Sequence, residues 1–169
     1  MGARLTLCPM RIFLLFPGKI RPPALAPAEA EYIRRLKRMG IETLEYKEER
    51  IQQRHPEQTR QREAKRILNL IKPTDWVVAC DERGHAVTTR QMADLLQSAR
   101  SGTPPAGGRK RMICVIGGAL GLDESVRKRA DSVWSLSSLV MAGGVARLVL
   151  LEGIYRAMTL LEGHPYHNE

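Results

Sequence analysis

The sequence predicts a single α/β domain built on a mainly parallel sheet flanked by helices. Two observations lead there. Short apolar runs of strand length recur along the chain, and the segments between them place apolar residues at helical spacing. Glycine and proline punctuate most of the junctions. The 169 residues suffice for one domain with one sizeable core, and neither a linker nor an internal repeat divides them.

Residues 11–16 read as the first strand, ended by Pro17 and Gly18. Pro22, Pro23 and Pro27 hold the next loop away from regular structure, and Pro27 suits the first turn of a helix. That helix runs to Met39 with Tyr32, Ile33, Leu36 and Met39 on one face, and Gly40 stops it. A second strand spans 41–47, and the polar stretch 48–59 reads as an exposed loop. A helix follows with Ala64, Ile67, Leu68 and Ile71 at core spacing. Its other side carries Arg60, Arg62, Lys65 and Arg66, either a solvated face or an RNA contact.

Residues 76–80 are the third strand, ending in the turn-like "DERG" at 81–84. Thr88 and Gln91 form a capping box for a helix carrying Met92, Leu95, Leu96 and Ala99. A Gly/Pro loop at 101–108 leads to the fourth strand, 112–116, which empties into Gly117, Gly118 and Gly121. Asp123 caps a short helix holding Arg127, Lys128 and Arg129. A fifth strand spans 132–136, and a long helix runs from about Gly144 to Leu161.

Composition narrows the function classes. At 43% hydrophobic the chain is not a disordered one, and no apolar run approaches the roughly 20 residues of a membrane span. Lys and Arg number 27 against 18 Asp and Glu, a net charge of +9. That favours a polyanionic partner, nucleic acid first, although a generally basic soluble protein would look the same. Cys8, Cys80 and Cys114 are widely spaced with no C-x-x-C, which points to a reducing, cytoplasmic setting without disulfides or a zinc site. Residues 1–28 carry four basic residues and no acid, but the apolar run at 12–16 is too short for a signal peptide. Met10 is a candidate start, which would leave 1–9 as an N-terminal extension ahead of a domain at 10–169.

Three stretches carry chemistry. "GGALG" at 117–121 is neither a P-loop nor a dinucleotide fingerprint, since it lacks Lys-Ser/Thr and the G-x-G spacing. It is a place for bare main chain to approach a ligand, or simply a tight turn. The long helix is apolar on two faces: Leu151, Ile154, Met158 and Leu161 on one, Val145, Leu148, Val149 and Tyr155 on the other. One face packs on its own sheet, the other calls for a second copy of the chain, and Gly153 would let that copy come close. Glu152 and Arg156 stand i,i+4 on this helix. The tail "GHPYHNE" gathers His164, Tyr166 and His167 around Pro165; His-x-x-His without a third ligand does not make a metal site.

"IGGALGL" (116–122), "WSLSSL" (134–139), "LLEGIYRA" (150–157) and the ending "HPYH" (164–167) resemble, in that order, the RlmH family of SPOUT-class large-subunit rRNA methyltransferases. The resemblance covers the chain from about Met10 to its end. It implies a SPOUT-type domain with a C-terminal trefoil knot, working as a homodimer. It also implies S-adenosyl-L-methionine as methyl donor and, as acceptor, N3 of a pseudouridine in a 23S rRNA stem-loop of the assembled ribosome. Neither a metal nor a membrane is implied.

Carried over by the resemblance, the cofactor would contact Cys80, Gly117, Gly118, Ser137, Ser138, Val140 and Ala142, with its adenine among Leu136, Leu139 and Met141. Arg156, Tyr166 and His167 would be the catalytic residues. Arg156 would stabilise the negative charge developing on the base, while Tyr166 and His167, meeting the partner subunit's site, would position the ring or help the N3 proton leave. The basic runs 34–38, 60–66 and 109–111 would hold phosphates. The chain departs from the family at Cys80, commonly leucine, at Ala119, commonly proline, and at Ala142-Gly143, usually Pro-His. The competing readings are a nucleotide-binding enzyme on an unknotted sheet, which the incomplete fingerprint disfavours, a non-catalytic basic RNA-binding dimer, and a plain structural dimer, which explains the helix but not the tail.

Overall fold

The computed structural model describes residues 10–106 and 108–163. The 1–9 extension and the 164–169 tail, with Tyr166 and His167, lie outside the described residues. Strands and helices alternate as expected: β1 (Arg11–Pro17), α1 (Ala26–Arg38), β2 (Ile41–Tyr46), α2 (Pro56–Leu70), β3 (Asp75–Ala86), α3 (Thr89–Ser101), β4 (Arg111–Ile116), α4 (Glu124–Arg129), β5 (Ser132–Ser135) and α5 (Gly143–Leu161). The five strands are all parallel, in the order β2-β1-β4-β3-β5.

The unbroken apolar runs are explained by burial on both faces of the sheet. Alternate residues of one strand feed two separate cores. Ile12, Leu14 and Phe16 of β1 join Met112, Cys114 and Ile116 of β4 under α1, α3 and α5. Phe13 and Leu15 join Ile113 and Val115 under α2 and α4. The anticipated punctuation is in place. Thr88 and Gln91 close a reciprocal capping box, Asp123 accepts from the Ser125 N–H, and Gly40 takes a φ of +79° after α1.

Three local expectations give way. α2 begins at Pro56, before the expected end of the polar loop, because a proline at the first helical positions gives up no hydrogen bond there. β3 does not end at Cys80 but runs on to Ala86, with Cys80 and His85 both opposite Trp134. The "DERG" residues are therefore a bulge inside a paired strand. Gly84 is required in it, since a Cβ there would lie 2.6 Å from the Val133 carbonyl. Finally, Gly153 admits α3 of the same chain and not a second copy: Met92 Sδ stands 3.3 Å from where its Cβ would be.

At the edge away from the strand C-termini, Asp75 is fully buried and grips Arg111 through two hydrogen bonds of 2.9 and 2.5 Å. The Lys72 N–H donates to the same carboxylate at 2.7 Å. Burial alone would raise the Asp75 pKa, but the Arg111 guanidinium, the Lys72 N–H and the charge of Arg129 outweigh it and hold the carboxyl below its usual range. Arg109 and Arg129 donate to carbonyls of the same corner, so the basic run at 109–111 is largely spent inside the fold. Asp75→Ala strands a mostly buried guanidinium, and urea unfolding of this variant shows a loss of about 3–5 kcal/mol. Because the folded carboxyl titrates below the unfolded one (about 3.9), its contribution is complete above about pH 4 and is lost as pH falls through the folded value. Asp75→Asn consequently flattens the acid limb of the stability curve.

Candidate functional site

The C-terminal ends of β1, β3, β4 and β5 converge on two adjoining cavities. The first, about 330 Å³, lies between three loops: the β3 bulge, the turn at 117–122 and the loop at 136–141. The turn is drawn tight by a Gly121 N–H bond to the Gly118 carbonyl at 2.9 Å, with Gly121 at a φ of +75°. A Cβ on Gly117 would sit 2.7–2.8 Å from the backbone of Gly121 and Leu122. One on Gly118 would sit 2.6 Å from the Glu63 carboxylate, which is buried and accepts the Glu49 N–H at 2.9 Å. At Gly117 main chain alone can form this wall, and at Gly118 a side chain would have to displace Glu63.

The facing loop is braced by its own serines. Ser135 Oγ donates to the Ser137 carbonyl at 2.9 Å, and Ser137 Oγ accepts the Leu139 N–H at 2.9 Å. Asp81, in the bulge, accepts from Arg127 at 3.2 Å and from the Arg83 N–H at 3.0 Å. Burial pushes the Cys80 thiol well up, so it lines the cavity as a neutral group and is no nucleophile. The result is a cleft with an apolar floor of Ile116, Leu136 and Met141, a wall of bare main chain, and charges of both signs, Asp81 and Glu82 with Arg60 and Arg83. That suits a ligand combining a flat apolar part with polar or charged groups.

Of the expected cofactor contacts, Cys80, Gly117, Gly118, Leu136, Ser137, Leu139, Val140 and Met141 line this cavity. Ser138 and Ala142 belong to the same loop without lining it, and Ala142 is the N-cap residue of α5. Arg60, expected on an RNA-facing or solvated helix face, lines the cavity instead, and sequence reasoning missed the bulge at 81–83, because a bulge is a property of pairing with β5 and leaves no local signature. Arg156 is not brought to the cavity. It bonds Glu152 at 2.6 and 2.9 Å on α5, ten residues beyond the lining residue Ala146, or about 15 Å along the helix.

The second cavity, about 250 Å³, shares Gly117, Gly118, Ala119 and Gly143 with the first and opens beside β1. The buried Arg147 holds its corner. It pairs with Glu29, donates to the carbonyls of Pro17 (3.1 Å) and Gly18 (2.7 Å), reaches Glu45 at 3.5 Å, and stacks 4.2 Å over Phe16. The 18–25 loop is pressed onto α5 so closely that a Cβ on Gly144 would meet the Arg21 carbonyl at 2.1 Å. Next to the cavities, Leu139, Val140, Val145 and Val149 form an exposed apolar stripe running onto α5. Among the described residues no helix is long and apolar enough to cross a membrane.

Comparison with known proteins adds the chemistry. A family model described as "Predicted SPOUT methyltransferase" matches residues 10–167. A protein of Methylobacillus flagellatus named "Ribosomal RNA large subunit methyltransferase H" is 38% identical over 162 residues, covering 95% of this chain and 100% of the relative. Proteins with the same name from Syntrophotalea carbinolica and Desulfovibrio desulfuricans are 37% and 39% identical. They cover 94% and 89% of this chain, and 99% and 93% of the relatives.

The glycines at the site separate cleanly by crowding. Gly117→Ala forces the backbone apart and destabilises by about 1–3 kcal/mol. A Cβ on Gly143 meets open space within the first helical turn, so Gly143→Ala is neutral or stabilising by up to about 1 kcal/mol. Paired thermal melts that rank the two the other way would contradict this geometry.

Proposed function

Because the chain belongs to the SPOUT methyltransferase family, we propose that it transfers a methyl group from S-adenosyl-L-methionine to N3 of a pseudouridine in a 23S rRNA stem-loop of the assembled ribosome, acting as a cytoplasmic homodimer. The observation that supports this most is the coincidence of two independent features. Near-full-length relatives carry the name of a large-subunit rRNA methyltransferase, and eight of the ten expected cofactor contacts line one cleft of bare main chain.

The residues present fit the methyl donor. Leu136 and Met141 offer an apolar slot for the adenine, and the turn at 117–121 offers main-chain groups. When bound, the donor supplies an activated methyl group, so what is left to the protein is alignment and the acceptor proton. The N3 proton must leave and negative charge must be held on the pyrimidine while the new bond forms. Arg156 is the cation assigned to that charge, and Tyr166 and His167 are assigned to positioning the ring or carrying the proton.

The distance along α5 supports a two-chain site. Arg156 stands about 15 Å along α5 from the cleft of its own chain, which supports its serving the cleft of a second copy. The exposed stripe of Leu139, Val140, Val145 and Val149 is the apolar face that such a copy would cover. The net charge of +9 suits a ribosomal surface.

Mass spectrometry of rRNA from cells with and without the protein tests the reaction: a methylated pseudouridine in 23S rRNA disappears with the gene. Arg156→Ala lowers turnover at least a hundred-fold while calorimetric affinity for S-adenosyl-L-methionine stays near wild type. Removal of residues 164–169 leaves a dimer that binds the donor and does not methylate ribosomes.

A further inference from the structure

The methyl donor accounts for the first cavity and leaves the second without an occupant. Its position is that of a ligand site. It opens at the crevice between β1 and β4, adjacent strands whose connections leave on opposite faces, α1 over one core and α4 over the other. Open α/β sheets take ligands at such switch points. The cavities meet along Gly117, Gly118, Ala119 and Gly143, where little more than main chain separates their contents. Two groups that must approach to within about 3–3.5 Å need such a seam.

The polar groups of the second cavity are few. Lys19 and Arg21 stand exposed at its mouth, on the loop that Arg147 and Gly144 fasten to α5. Ile20 and Ile51 supply apolar surface. Glu48 is the one acidic side chain lining it, half-buried, and it makes no hydrogen bond or ion pair among the described residues. Its neighbours are all engaged: Glu45 with Arg147, Glu49 with Arg66, and Glu63 with the Glu49 N–H.

Building on the rRNA reading above, we propose that the second cavity seats the acceptor pyrimidine and that Glu48 selects pseudouridine over uridine by accepting its N1–H. Pseudouridine is joined to ribose through carbon, so N1 keeps a proton; in uridine N1 carries the sugar. Both bases share the N3–H and two carbonyls, so an acceptor aimed at N1 is what tells them apart. A carboxylate waiting there gains a charge-assisted bond with one base and loses its water without return with the other. Lys19 and Arg21 hold the adjoining phosphate and carry no base information.

The test uses the full-length protein on ribosomes bearing either pseudouridine or uridine at the target position. Wild type prefers pseudouridine. Glu48→Ala lowers kcat/KM on pseudouridine roughly ten- to hundred-fold, raises that on uridine by removing the unrewarded desolvation, and so collapses the preference. Lys19→Ala raises KM on both substrates and leaves their ratio intact. Both variants bind S-adenosyl-L-methionine as wild type does. A preference that survives Glu48→Ala overturns the assignment, as does an equal loss on both substrates, which would make Glu48 the acceptor of the N3 proton. Weakened donor binding in Glu48→Ala overturns it too, by giving the cavity to the cofactor. Wild-type protein inactive on both ribosomes brings down the functional reading and this assignment together, whereas active wild type with an unaltered ratio in the variant brings down this assignment alone.

Discussion

The fold depends on a lack of room at the end of β4. Gly117 is pressed against the backbone of Gly121 and Leu122, and Gly118 against the carboxylate of Glu63. Gly117 does not tolerate a Cβ, and one at Gly118 would have to displace the buried Glu63 carboxylate, so the strand leaves the sheet as naked main chain. Glu63 is part of the same constraint. Burial pushes its pKa up, and the Glu49 N–H that it accepts offsets only part of that. The carboxylate ties α2 to the stretch after β2, and Arg66 fastens the same stretch through the Lys47 carbonyl and Glu49. One crowded turn thus sets the positions of the bulge side, the β1 side and the segment bearing Glu48.

The charge pattern divides into spent and unspent cations. Arg111, Arg127 and Arg147 are each buried or half-buried against carboxylates and carbonyls, and they hold the corners of the sheet. Asp75–Arg111 secures the N-terminal edge of the strands, and Arg147 secures the C-terminal edge next to the cavities. Lys19, Arg21, Arg62 and Lys65 make no ion pair among the described residues. A net positive charge therefore says little by itself about where a polyanion sits. What matters is which cations the fold has not used, and two of them stand at the mouth of the second cavity.

The α5 helix shows how one sequence pattern separates into two outcomes. Its apolar content is too high for one face, and the buried half is Leu150, Leu151, Ile154, Ala157 and Met158. Val145 and Val149 remain exposed beside Leu139 and Val140. Gly153, the residue that looked made for a partner, is instead filled by Met92 of α3. Helix periodicity identifies that two faces exist, but only packing tells which neighbour each one meets.

The linear sequence was enough to determine the α/β class, the order of elements and most of the cleft. These rest on local rules: runs of β1 and β4 apolar on both faces, the Thr88–Gln91 box, and glycines where backbone must turn. Family blocks extended that to Cys80, Gly117, Gly118 and the loop around Ser137. Tertiary structure alone decided the rest. The bulge that puts Asp81 at the cleft exists because β5 pairs across it, and the remoteness of Arg156 follows from the straight run of α5. The second cavity is made by Lys19, Glu48, Gly118 and Gly143, residues from four distant stretches. Nothing in their sequence spacing encodes that meeting, because strand order and the handing of α1 and α4 to opposite faces bring them together.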